Sequence, residues 1–205
     1  MPMPARPPAL AAATVALALV PVLSPAAVAV EGPAPDPRNT RAMRDLATAI
    51  RVTARYVDEA QAVKDGYVPH GECLNNPFGA GAMGYHYVKA ANWGSTDPRR
   101  PTALVYSPDK DRHGKRRLYA VEWMVSDKDQ DLTTKEDRPS MFGLPFDGPM
   151  PGHWAGNPKH YDLHLWAYKK NPAGRFHNWN PDVTCPGAKK PAVPATPAPG
   201  HGHAH

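Results

Sequence analysis

Three short strings set a metal-binding residue type amid residues of strand character: MGYHYV around His86, AVEWMV around Glu122 and YDLHLWAY around His164. Imidazole and carboxylate bind transition metals and carry protons near neutral pH, and both are costly to bury alone. Two histidines and one carboxylate with open coordination positions suit Fe, Cu or Zn, the iron case being the facial triad. Asp162 is a fourth candidate, two residues from His164 and so on the same face of a strand, about 6–7 Å away. His160 lies four residues from His164. On a helix that spacing would pair the two on one ion, but on a strand it separates them by about 13 Å and leaves His160 in second rank. At the chain end, HGHAH offers His201, His203 and His205, a loose chelator for Cu(II), Zn or Ni that is able to pass an ion to a core site by tethered proximity.

These side chains need elements to position them. Alternation and enrichment in Tyr, Trp and Val predict strands over 84–89, 102–107, 117–125 and 161–168. The second and third flank DKDRHGKRR (Asp109–Arg117), which reads as the charged tip of an antiparallel hairpin. Parity then sorts each strand into two faces. His86 falls with Gly84 and Val88, Glu122 with Ala120 and Met124, and His164 with Asp162, Trp166 and Tyr168. The opposite faces carry Tyr85 and Tyr87, Val121 and Trp123, and Leu163 and Leu165. Each strand thus has one apolar face and one face with a ligand type near its middle. Either that second face is wet, or it lines a concave pocket in which the three groups converge. Upstream, Met43, Leu46, Ala47, Ile50, Ala54 and Val57 keep a helical stripe over 40–65, with Asn39 or Thr40 as cap, a break near Asp58 and a stop at Gly66. The expected fold class is α+β, an N-terminal helix packed on a mostly antiparallel sheet that curls toward a barrel.

The ends of the 205-residue chain differ from its middle. Arg6, the apolar run Ala9–Val20 and Ala27-Val28-Ala29 have the form of a secretory signal peptide over 1–29, followed by a disordered linker over 30–38. The run is too short to span a bilayer, so no membrane span is expected in the mature chain. Nine of the 26 prolines lie in residues 1–37 and five in 186–205, which leaves 39–185 as a single domain before a disordered Pro/His-rich tail. An exported chain with only Cys73 and Cys185 points to a disulfide joining the domain's start to its end, worth about 4–5 kcal/mol on the chain-entropy model. The net charge of +5 is too small to imply nucleic acid.

Other motifs weaken on inspection. Gly79, Gly81 and Gly84 spell G-x-G-x-x-G, but a strand rather than a helix follows and no βαβ unit surrounds them. Asp127–Arg138 begins like a calcium loop, yet Leu132 stands where a glycine is needed and Arg138 where a bidentate glutamate belongs. A looser calcium site or a solvated linker both fit this run. Phe176 and Trp179 are placed to plug the core before Cys185, and with Trp93, Trp154 and Trp166 they would also suit the floor of a sugar groove.

The pattern GYHYV, VEW, LHLW and NPAGRFHNWNPDVTC, running from about Gly66 to Cys185, resembles a group of exported bacterial proteins of unassigned activity. The resemblance implies that helix, strands and cysteines form one unit, and it implies no reaction. The residues themselves suit a secreted protein whose partner is a metal ion or small molecule, in metal handling or in redox or hydrolytic chemistry at that ion. A non-catalytic module that binds a wall polymer or small ligand through its aromatics is the alternative. A structural domain in which the three polar groups bond to one another is a third.

Overall fold

The computed structural model describes residues 34–187. The signal peptide read over 1–29 and the tail histidines His201, His203 and His205 lie outside these residues. Helix α1 (Thr40–Thr53) starts where Asn39 accepts the Ala42 N–H at 3.0 Å, satisfying one of the free donors of the first turn. A 3-10 turn (Ala54–Val57) follows, and Asp58 caps a second short helix, α2 (Glu59–Lys64). Gly66, at φ +91°, ends it in a conformation that favours glycine. The buried stripe of α1 is Ala42, Leu46, Ala49 and Thr53, with Ile50 at its border; Met43, Ala47, Ala54 and Val57, expected inside, are exposed. Thr53 fits because its hydroxyl reaches the Ala49 carbonyl at 2.6 Å and so buries no unpaired polar group.

The helices pack on a curled, half-barrel sheet of six antiparallel strands. These are β1 (Val68–Asn75), β2 (Ala82–Val88), β3 (Ala103–Lys110), β4 (Arg116–Ser126), β7 (Asp147–Met150) and β8 (His160–Leu165), in the order β1-β2-β3-β4-β8-β7. A separate two-residue hairpin joins β5 (Ser140–Met141) to β6 (Leu144–Pro145). The fold class is α+β, with the hairpin of β3 and β4 closed by the charged turn. The face parity holds over 84–88, 103–106, 120–124 and 162–165, and it fails at a register shift in β4, where Leu118 joins the helix-side core although it shares parity with Ala120. Tyr87, Leu104, Tyr106, Val121, Trp123, Leu163 and Leu165 join Leu46 and Ala49 of α1 in one core on the helix side. The opposite face carries Ala103, Val105, Ala120 and Met124, split between two smaller apolar clusters.

Three differences from the sequence pattern have physical causes. Strand β8 ends at Leu165 rather than 168, because the Trp166 N–H turns to the Arg175 carbonyl at 2.9 Å. Parity is lost there, so Tyr168 does not join the His164 face; its hydroxyl donates to the Ile50 carbonyl of α1 at 2.8 Å. Strands β1 and β7 carried no signal because both are sheet edges, where alternation fades and Pro69 and Pro149 are tolerated. Two of the three glycines of the rejected dinucleotide motif, Gly81 and Gly84, serve close packing instead. Gly84 has φ +125°, and a Cβ there would lie 2.3 Å from the Tyr106 carbonyl oxygen. Cys73 and Cys185 form a disulfide with a Cα–Cα distance of 5.6 Å, tying β1 to the segment that ends the domain.

Candidate metal centre

The sheet register brings the singled-out residues together. Glu122 of β4 is the direct cross-strand partner of His164 on β8, and Asp162 is paired with Met124 one rung pair further along the same face. Strand β3 separates β2 from β4, and its residues here are small: Val105 opposes His86 and Ala103 opposes Glu122. Short side chains on β3 leave room for His86 and Glu122 to meet over it. His86 Nε2 lies 3.2 Å from Glu122 Oε2, and His164 Nε2 lies 3.5 Å from Glu122 Oε1. All three residues are buried, at 1% exposure or less.

The second face is therefore neither wet nor an open cleft. It is roofed by the loop between β7 and β8 and by the chain around Asn178. That loop supplies His153, which no strand pattern could reveal. His153 Nε2 lies 3.4 Å from Asp162 Oδ2 and 3.8 Å from Glu122 Oε1, and its side chain, 11% exposed, is the most solvent-accessible of the cluster. The one hint in the sequence was density, with His153, His160, Asp162 and His164 falling within twelve residues. The loop is held in shape by Asn157, whose side chain accepts the His153 N–H at 2.7 Å, and by Trp154, which stacks on His70 of β1 at 4.5 Å between ring centroids. Gly152 is required there, since a Cβ would lie 2.1 Å from the Asn157 carbonyl oxygen.

Among the described residues, two groups have ligand atoms close enough to share a metal ion: His86, Glu122 and His164, and His153, His160 and Asp162. Asp162 thus belongs with His153 rather than with the first three, although its Oδ2 is 3.8 Å from His164 Nδ1. His160, ranked second on spacing, is fully buried in the same group. The acidic run Asp127–Arg138 forms no such group among the described residues. Asp129 and Asp131 are engaged by the N–H groups of Asp131 and Thr133, and Asp137 by the Tyr161 hydroxyl.

Charge in this cluster is poorly compensated. Both nitrogens of His86 and of His164, both oxygens of Glu122, His153 Nε2, His160 Nε2 and Asp162 Oδ2 are buried without a hydrogen-bond partner. Burial pushes Glu122 up to about 7 and raises Asp162. Burial, reinforced by His153, pushes His86 down to about 3, and burial also holds His164 well below the usual imidazole range. His153 goes the other way: burial opposes its charge, but the Asp162 and Glu122 carboxylates outweigh it. His86 and His164 thus favour the neutral imidazole, the form that offers a lone pair to a metal. Leaving such groups unpaired costs several kcal/mol, and a cation reverses that penalty. These buried His, Glu and Asp groups can hold a metal ion.

The aromatics do not assemble into one surface. Phe176 lies in the helix-side core, Trp166 is buried on the opposite face, and Trp93 and Trp154 pack against Val88, Ala103 and Met124. No helix among the described residues is long and apolar enough to cross a membrane. No protein-family model matches the chain, and neither a curated protein nor a solved structure matches it.

Proposed function

We propose that this is an exported transition-metal protein whose ion is held by His86, Glu122 and His164. One observation carries the reading: buried nitrogens and oxygens of β2, β4 and β8 face one another at 3.2–3.5 Å, yet none is hydrogen-bonded. Separations of this size match the edges of a coordination polyhedron with bonds of about 2.0–2.2 Å. A set of imidazoles and one carboxylate suits Zn, Cu or Fe(II) over Mg or Ca, which prefer oxygen cages. With three protein ligands, coordination positions remain for water or a small molecule, so both metal handling and chemistry at the ion fit the site. The disulfide and the signal-like N-terminus support an oxidising compartment outside the cytosol.

The test is elemental analysis after dialysis against Zn(II), Cu(II) or anaerobic Fe(II), using a chain in which His201, His203 and His205 are replaced by alanine. Retained metal that falls by one equivalent in His86→Ala and in His164→Ala, with folding checked by circular dichroism, supports the reading. A folded chain that retains no metal under any of these conditions overturns it.

A further inference from the structure

We propose that the cluster is a two-ion centre, with a second ion held by His153, His160 and Asp162 beside the one assigned above. The inference rests on that first assignment and extends it. The argument begins with reach. The register sets His164 opposite Glu122 but His160 opposite Ser126, and four strand residues span about 13 Å. Both imidazoles leave the same face of β8, so they do not close on one point. His160 must serve a different centre from His164.

Its chemistry says what kind of centre. His160 Nδ1 lies 2.9 Å from the Pro158 carbonyl oxygen, which can only accept. The proton therefore sits on Nδ1, and Nε2 carries a bare lone pair in a fully buried position with no partner. A carbonyl fixing one ring nitrogen so that the other is free to ligate is the arrangement found behind metal-bound histidines. Asp162 repeats it. Its Oδ1 accepts from Asn178 Nδ2 at 3.2 Å, which orients the carboxylate and leaves Oδ2 unpartnered, 3.4 Å from His153 Nε2. The His153 ring stands nearly perpendicular to that of His160, at 84° and 4.7 Å between centroids.

The carboxylates lie between the two groups. Glu122 Oε1 is 3.5 Å from His164 Nε2 and 3.8 Å from His153 Nε2, while Asp162 Oδ2 is near His153 and 3.8 Å from His164 Nδ1. Each group thus faces a carboxylate of the other, which screens repulsion between two cations. Two divalent ions against two carboxylates leave a positive excess, so the centre takes hydroxide or another anionic oxygen ligand to complete it. His153, the most accessible of these side chains, marks the side from which that ligand enters.

The experiment is Zn(II) stoichiometry by elemental analysis on the chain with its three tail histidines replaced, paired with electron paramagnetic resonance after loading with Cu(II). Two equivalents per chain and a spin-coupled Cu(II) signal are expected. His160→Ala and His86→Ala should each fall to one equivalent and turn the coupled signal into that of an isolated ion. The count on the unsubstituted core requires no core variant to fold. One equivalent there overturns the two-ion centre: if His86→Ala removes it and His160→Ala does not, the first assignment stands, and if His160→Ala removes it and His86→Ala does not, the first assignment falls as well. No bound metal at all overturns both.

Discussion

Replacing Glu122 with glutamine keeps the volume of the side chain and removes its charge, so its effect on the metal-free protein depends on pH. Burial raises the carboxyl from its ordinary 4.5 to about 7, which means the folded chain holds that proton more tightly than the unfolded chain does. The stability Glu122 contributes is therefore intact below pH 4.5 and is lost as the pH rises through about 7. At about 1.4 kcal/mol per pH unit the full loss is roughly 3 kcal/mol, most of which falls between pH 5 and pH 8. His86, held at about 3, acts in the opposite sense, since its neutral form loses ground as the pH falls below 6.5. Comparing variant with wild type at the same pH cancels that contribution. With chelator present, the advantage of Glu122→Gln over the wild type should be about 2–3 kcal/mol larger at pH 8 than at pH 5, or about 5–10 °C in melting temperature for a domain of this size. Urea and thermal melts at the two pH values measure this. The variant should bind no metal at the first site, so a stabilised apo protein and lost metal would appear together, as expected where a site is strained for its function. A variant less stable than wild type at pH 8, or a difference that does not change with pH, would refute the reasoning and make Glu122 an ordinary structural acceptor.

Metal affinity should show the same proton from the other side. Because Glu122 must ionise to ligate, the apparent affinity measured by chelator competition should fall about tenfold per pH unit below about 7, and a flat profile from pH 5.5 to 7.5 contradicts this. The disulfide closes a loop across 112 residues, so Cys73→Ser and Cys185→Ser should each cost about 5 kcal/mol in urea unfolding, with the double variant no worse than either. Additive losses would mean that the two cysteines act separately. Gly84→Ala places a methyl 2.3 Å from the Tyr106 carbonyl oxygen at a positive φ, so the domain should lose several kcal/mol or fail to accumulate folded. A melting temperature within a degree of wild type would show that β2 shifts freely there.

Much of the scaffold was legible because local physics repeats along the chain. A strand inverts its side chains at every residue, and one apolar face per strand fixed which residues sit with His86, Glu122 and His164 before any pairing was known. The Asn39 cap, the break at Asp58 and the stop at Gly66 are likewise properties of a few adjacent residues. Parity cannot say which strands are neighbours, or whether a face is covered. It also expires where a ladder ends, which is why Tyr168 was placed on the wrong side. Only the tertiary structure set Glu122 opposite His164, used the small side chains of β3 to let His86 reach across, and folded the loop carrying His153 down as a roof. Spacing along β8 demoted His160 for good reason, since it falls in a different ligand group from His164. What spacing leaves out is that a loop distant from the strand's own periodicity supplies His160 with a different partner, and that contact exists only once the chain has folded.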